Sequence, residues 1–152
     1  MPAAGQRIKA LDFTDEVQDI ENTSYTTTST SFSETGTGFT PCGVSFVAPT
    51  SGKEKIDFGA EMANSVAAAA TEVTPIVREG DVVGSGTTVV AASSDNKIRF
   101  TAPANNSIGR QGATYLAEGL TPGAAYNATL ASRVSGSTGT IDSRYVICSP
   151  GT

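Results

Sequence analysis

Along most of this chain apolar and polar residues alternate with a period of two. Between positions 53 and 63, Ile56, Phe58, Ala60 and Met62 alternate with Lys55, Asp57, Gly59 and Glu61. That is the signature of a strand with one face buried and one face wet. Immediately upstream, Val44-Ser45-Phe46-Val47-Ala48 is an apolar run, and Pro49-Thr50-Ser51-Gly52 between the two has turn chemistry. Together they predict an antiparallel strand pair.

The phrase recurs downstream. Residues 73–78 resume it with Pro75 inside, and a residue that cannot donate to a ladder marks an edge position or a bulge. Further strands are predicted over 87–92, 97–101 (through Ile98 and Phe100), 113–118, 126–134 and 143–149. In the strand over 126–134, Tyr126, Ala128, Leu130, Ser132 and Val134 share one face. Glu79-Gly80-Asp81, Gly84-Ser85-Gly86, Leu120-Thr121-Pro122-Gly123 and a Gly/Ser/Thr tip over 135–140 supply turns, and 103–112 reads as a loop. Upstream, 25–32 is a solvated strand anchored by Tyr25 and Phe32. Eight or nine strands at this spacing predict an all-β, antiparallel, jelly-roll-like sandwich over residues 23–152.

Residues 1–22 differ in kind. Ile8, Leu11, Phe13, Val17 and Ile20 are spread among five carboxylates, too short a segment for a domain and too apolar for a mere tail. It reads as an extended docking arm for a neighbouring subunit, or as an arm folded back on its own sandwich. Thr14 is placed to cap a short helical turn in which Val17 and Ile20 share a face.

Composition narrows the function. Among 152 residues there is no tryptophan and aromatics are 7%, so the core is thin and self-association is the expected source of extra stability. Fifteen acidic against ten scattered basic residues argue against nucleic-acid binding, which needs clustered cations. No apolar run approaches the roughly 20 residues of a membrane helix, and the first residues lack the apolar segment of a secretory signal, so assembly in a cytoplasm is expected.

Chemistry is scarce. The absence of histidine excludes Ser-His-Asp and Cys-His catalysis. Asp57 and Glu61 are the nearest to a hydrolytic carboxylate pair, but outward alternation on one strand accounts for both. The acids at 12–21 lack calcium-loop spacing, and Gly84-x-Gly86 alone does not make a phosphate loop. No catalytic residue, metal or cofactor is predicted. Asn22, Asn105 and Asn127 stand in Asn-x-Ser/Thr triplets, to which no role is assigned. Tyr115, Tyr126 and Tyr145 are candidates for a sugar-binding patch, with core or subunit packing the better explanation of each. Cys42 lies in the first predicted core strand and Cys148 in the last. If the first and last core strands are neighbours these thiols form a bridge closing a long loop; the alternative is two buried, reduced thiols.

Several motifs carry a resemblance. Phe46-Val47-Ala48-Pro49-Thr50-Ser51-Gly52, Leu120-Thr121-Pro122-Gly123 with Tyr126, Arg133, and the terminal Arg144-Tyr145-Val146-Ile147 resemble small virion structural proteins of tailed phages that infect actinobacteria. Their punctuation is also similar to the trimeric jelly rolls of the tumour-necrosis-factor and complement-globular-head type. Ala4-Gly5-Gln6-Arg7-Ile8 looks like the start of phage tail and fibre subunits. The resemblance covers most of the chain and implies a virion component, assembled as a homotrimer on major capsid or tail subunits. It implies either a decoration that strengthens the head or a minor tail or fibre subunit touching the host surface, a glycan included. A free carbohydrate-binding module is the reading from another class.

Overall fold

The computed structural model describes residues 16–152. Its regular structure is ten strands: β1 Val17–Glu21, β2 Tyr25–Thr27, β3 Gly43–Val47, β4 Glu54–Asn64, β5 Ala70–Glu79, β6 Thr88–Val90, β7 Ile98–Thr101, β8 Ile108–Ala117, β9 Ala125–Val134 and β10 Gly139–Pro150. No helix of the described residues is long and apolar enough to cross a membrane. The strands form two five-stranded antiparallel sheets packed as a sandwich, the jelly-roll-like architecture that the alternation predicts. The first sheet runs β1-β10-β4-β8, with β2 also on β10; the second runs β3-β9-β5-β6, with β7 also on β5.

The inward residues are those the period of two selects. Ile56, Phe58, Ala60 and Met62 of β4 meet Val44 and Phe46 of β3, Val73 and Val77 of β5, and Tyr126, Ala128 and Leu130 of β9 in one buried cluster. Tyr126 stacks on Phe46 with ring centroids 5.9 Å apart, and its hydroxyl accepts the Thr121 N–H at 3.0 Å. Each large side chain so buried contributes about 1.5–3 kcal/mol.

Four expectations are corrected. The runs at 44–48 and 53–63 do not pair: β3 lies in the second sheet against β9 and β4 in the first between β10 and β8. Pro49–Gly52 therefore carries the chain across the sandwich, because both strands must put an apolar face into the same core from opposite sides. The helical turn at 14–20 is replaced, over its described part, by β1, which pairs with β10 from Val17↔Cys148 to Glu21↔Arg144. A sheet edge offering ladder partners outweighs a single turn of helix, whose nucleation is unfavourable. The sheet thus begins inside the segment assigned to the arm, and Val17 and Ile20 fall on opposite faces; Ile8, Leu11 and Phe13 lie outside the described residues. β8 begins at Ile108 in what reads as a loop, and it pairs with β4 without a break from Ile108↔Ala63 to Ala117↔Glu54. Finally, Cys42 and Cys148 are both buried and free. Cys42 precedes β3 of the second sheet, whereas Cys148 in the first sheet has Val17 and Ile56 as its strand neighbours. Burial pushes the Cys42 thiol up to about 12 and raises Cys148 further, with Glu54 and Asp57 adding to it.

Pro75 occupies a local edge. On one flank it faces Leu130 of β9; on the other, β7 covers positions 70–73 and β6 begins only at Val77. Thr74 fills the gap by exchanging hydrogen bonds with Ser93, donating to its carbonyl at 3.2 Å and accepting its N–H at 3.4 Å.

A bulge in β10 reverses the alternation. Asp142 pairs with Glu61 and Tyr145 with Gly59, so Ser143 and Arg144 share one position of β4, and Ser143 adopts a left-handed φ of 44°. The extra residue turns Arg144 inward and Tyr145 and Ile147 outward. Arg144 is fully buried. Its guanidinium donates to the carbonyls of Thr40 at 2.7 Å and Thr23 at 3.2 Å, and stacks over Tyr25 at 4.6 Å. It thereby pins the crossings that lead into β2 and β3.

Candidate functional site

Directly paired residues on adjacent strands share a face, so the register specifies the outer surface of the first sheet. One row across it is Ile20, Tyr145, Gly59 and Gly112; the next is Gln18, Ile147, Asp57 and Thr114. Tyr145 lies across the sheet because two glycines leave room for it. A Cβ at Gly59 would strike its ring, and one at Gly112 would come within 2.6 Å of its hydroxyl oxygen. An aromatic ring covering cross-strand glycines restores the packing those positions lack. On one side of the ring an open groove of about 670 Å³ is lined by Asp57, Gly112, Ala113, Thr114 and Ile147. On the other a groove of about 290 Å³ is lined by Glu61, Arg110, Gln111 and Ser143.

Most charge on this surface is matched locally, the exception being Asp142, which stands opposite Glu61 and is held by the Ser143 N–H at 2.6 Å. Lys55 and Asp57 are 3.3 Å apart, Arg110 and Glu61 2.8 Å, and the Thr114 hydroxyl donates to Asp57. Asp57 and Glu61, four residues apart on an extended strand, are about 13 Å apart along it, each engaged by its own cation. Apolar side chains remain uncovered: Ile20 is 58% exposed, Ile108 66% and Leu116 38%.

The middle of the outer surface of the second sheet, over β5 and β9, is closed by the chain itself, while Val47 of β3 and Val89 of β6 stay exposed on its short outer strands. Glu72, 3% exposed, receives Arg133 at 2.5 Å, Arg99 at 3.3 Å and Lys97 at 3.5 Å. Residues 29–33 run beside β9, with Ser33 bridging Ser132. They set Phe32 against the Arg133 guanidinium at 4.4 Å and lead to Glu34, which pairs with Arg78. Asn127, fully buried, holds the loop after β5. Its amide donates to the carbonyls of Gly80 and Ser85, both at 3.0 Å, and accepts the Gly84 N–H at 3.0 Å.

The residues singled out from sequence thus scatter. Val17 packs against the core while Ile20 stands on the open face beside Tyr145. Asp19 of the acidic segment accepts the Gly43 N–H at 2.9 Å, tying β1 to the start of β3. Tyr126 is core and Tyr115 packs against it; Tyr145 alone of these three tyrosines lies on the outer surface. Among the described residues no group of His, Cys, Asp or Glu is arranged to hold a metal. Sequence reasoning missed Asn127, whose role comes from a loop more than forty residues away, and Glu72. The glycine pair under Tyr145 had a signal in the alternation itself: Gly59 falls at an outward position of β4, where a side chain is otherwise expected.

No family model matches the chain, and no curated protein matches it in sequence. Among solved structures it is similar to a chain of infectious bursal disease virus, Gx strain, at 12% identity and a TM-score of 0.54, over 99% of this chain and 37% of that one. It is similar to VP2 of the same virus, in a subviral particle, at 15% identity and a TM-score of 0.52, again over 99% and 37%. The chain therefore spans little more than a third of the length of these viral proteins, and what it shares with them is the fold of one jelly-roll unit.

Proposed function

We propose that this chain is a virion structural subunit, a homotrimer mounted on the head of a tailed phage as a decoration that strengthens the shell. The outer face of the first sheet is the surface between its copies. One observation carries the reading. Of two sheets in one sandwich, one has its long middle strands closed over by loops and ion pairs, with exposed valines only on its short outer strands, and the other leaves Ile20, Tyr145 and Ile147 on an open face where most charge is matched locally. A chain with net charge −5 repels its own copies, and a surface whose cations and carboxylates are paired is where that repulsion is least. The fold shared with VP2, a protein found in a subviral particle, supports a particle component, and the resemblance to trimeric jelly rolls supports the order three. The part of the arm ahead of β1 then serves contact with major capsid subunits.

A second reading draws on Tyr145. A ring lying flat between two grooves edged by carboxylates, amide and hydroxyl is also what a sugar ring stacks on, which favours a minor tail or fibre subunit touching host glycan. Immunogold electron microscopy of virions separates the readings. Label spread over the head is the expected result; label confined to the tail end transfers the assignment to host contact; particles without label make the chain a free carbohydrate-binding module.

A further inference from the structure

We propose that β8 pairs with β8 of a second copy across a two-fold axis centred on Gly112, joining two first sheets edge to edge. This rests on the virion reading and adds to it. Decorating trimers that strengthen a shell by joining one another do so through a second contact of different symmetry, and a two-fold contact is isologous, the same patch meeting itself.

The edge itself is the first argument. β8 is ten residues long and among the described residues its strand partner is β4 alone, so its other flank presents backbone donors and acceptors that no described strand takes. Proteins blunt such edges with charged side chains, lysine above all, and with proline, bulges or shortness. β8 has one charge, Arg110, already paired with Glu61; otherwise Ile108-Gly-Arg-Gln-Gly-Ala-Thr-Tyr-Leu-Ala117 contains neither Lys nor Pro, and its register with β4 has no break. The other edge strands are shorter: β1 and β3 have five residues each, β6 three and β7 four.

The second argument is self-complementarity. With Gly112 opposite Gly112 in an antiparallel pair, Ile108 of one copy faces Leu116 of the other, so the two exposed apolar ends cover each other twice. Arg110 faces Thr114, whose hydroxyl is bonded to Asp57. The Arg110 side chain, 75% exposed, meets Glu61 through Nε, which leaves its two terminal nitrogens to turn towards the neighbour's Asp57. Gln111 faces Ala113, and the glycines let the backbones approach without side-chain obstruction. Moving the axis by one residue, to Gln111 or Ala113, sets Ile108 against Thr114 or Glu118 and loses the apolar match, and a one-residue slip of the register sets outward side chains against inward ones.

Sedimentation equilibrium of the full chain tests this. The wild type is expected at an even number of copies, two or six, and I108K/L116K is expected to halve that mass with an unchanged melting temperature, since both side chains are exposed. A short thiol cross-linker applied to mixed single variants checks the register: Q111C with A113C is expected to link, and Q111C with itself to link at least tenfold less, while Cys42 and Cys148 stay buried. A wild type without even-numbered species up to millimolar concentration, an undiminished mass in I108K/L116K, or Q111C linking equally to itself overturns the proposal. The trimer reading fails separately: it predicts a threefold loss of mass in I20S/I147S, on the face and away from the β8 edge.

Discussion

The two outer faces of this sandwich are both carried by long antiparallel middle strands, β4 and β10 in one sheet and β5 and β9 in the other, yet they end differently. On the second sheet Glu72 is buried under three cations, and Asn127 spends its amide on a loop. On the first, Glu61 meets one largely exposed Arg110, and Tyr145 has open groove on both sides. Burial makes the difference. An ion pair in water contributes little, because solvent already satisfies both partners, whereas a carboxylate removed from water depends on the cations around it. The middle of one face is therefore internal to the fold, and the other face is surplus to it.

The sharpest test of that contrast is to make one change on both faces. Glu72→Ala strands Lys97, Arg99 and Arg133 and is expected to cost about 3 kcal/mol, whereas Glu61→Ala is expected to cost less than about 1 kcal/mol; urea denaturation measures both. Equal losses would remove the distinction between the faces. Asn127→Ala leaves three backbone groups of the loop over 80–85 without partners, with an expected cost of about 2 kcal/mol and faster amide exchange confined to that loop.

Between the faces, Glu54 is 1% exposed and one of its oxygens has no hydrogen-bond partner among the described residues. Burial pushes its carboxyl up to about 7 from 4.5. The raised value means the folded state favours the neutral acid. Its stabilising contribution is complete below pH 4.5 and is lost as pH rises through 7, on the order of 3 kcal/mol in all. Melting against pH should show that decline in the wild type and a flatter profile in Glu54→Gln.

Two smaller effects complete the comparison. Gly59→Ala lifts the Tyr145 ring from the open face, with an expected stability change of about 1 kcal/mol and a larger loss of self-association, read by sedimentation. On the inner side, unfolding without reductant should expose two reactive thiols, Cys42 and Cys148, and reduction beforehand should leave the melting temperature unchanged; a single thiol-free species would restore the bridge.

Alternation alone identified which residues of β4 and β9 face the core, because the side-chain direction of a strand is a local property with a period of two. From the same local information came the all-β class, the turns and the special place of Pro75. Which sheet each strand joins was not local. The run at 44–48 and the strand after it look like a hairpin, and only the packing of two apolar faces on one core sends them to opposite sheets. The inward turn of Arg144 depends on one extra residue in β10, a register shift that no spacing in the sequence displays. Whether an outward side chain ends buried, as Glu72 and Asn127 do, or open, as Tyr145 does, is decided by loops arriving from distant parts of the chain, and long-range contact is what a one-dimensional pattern does not contain.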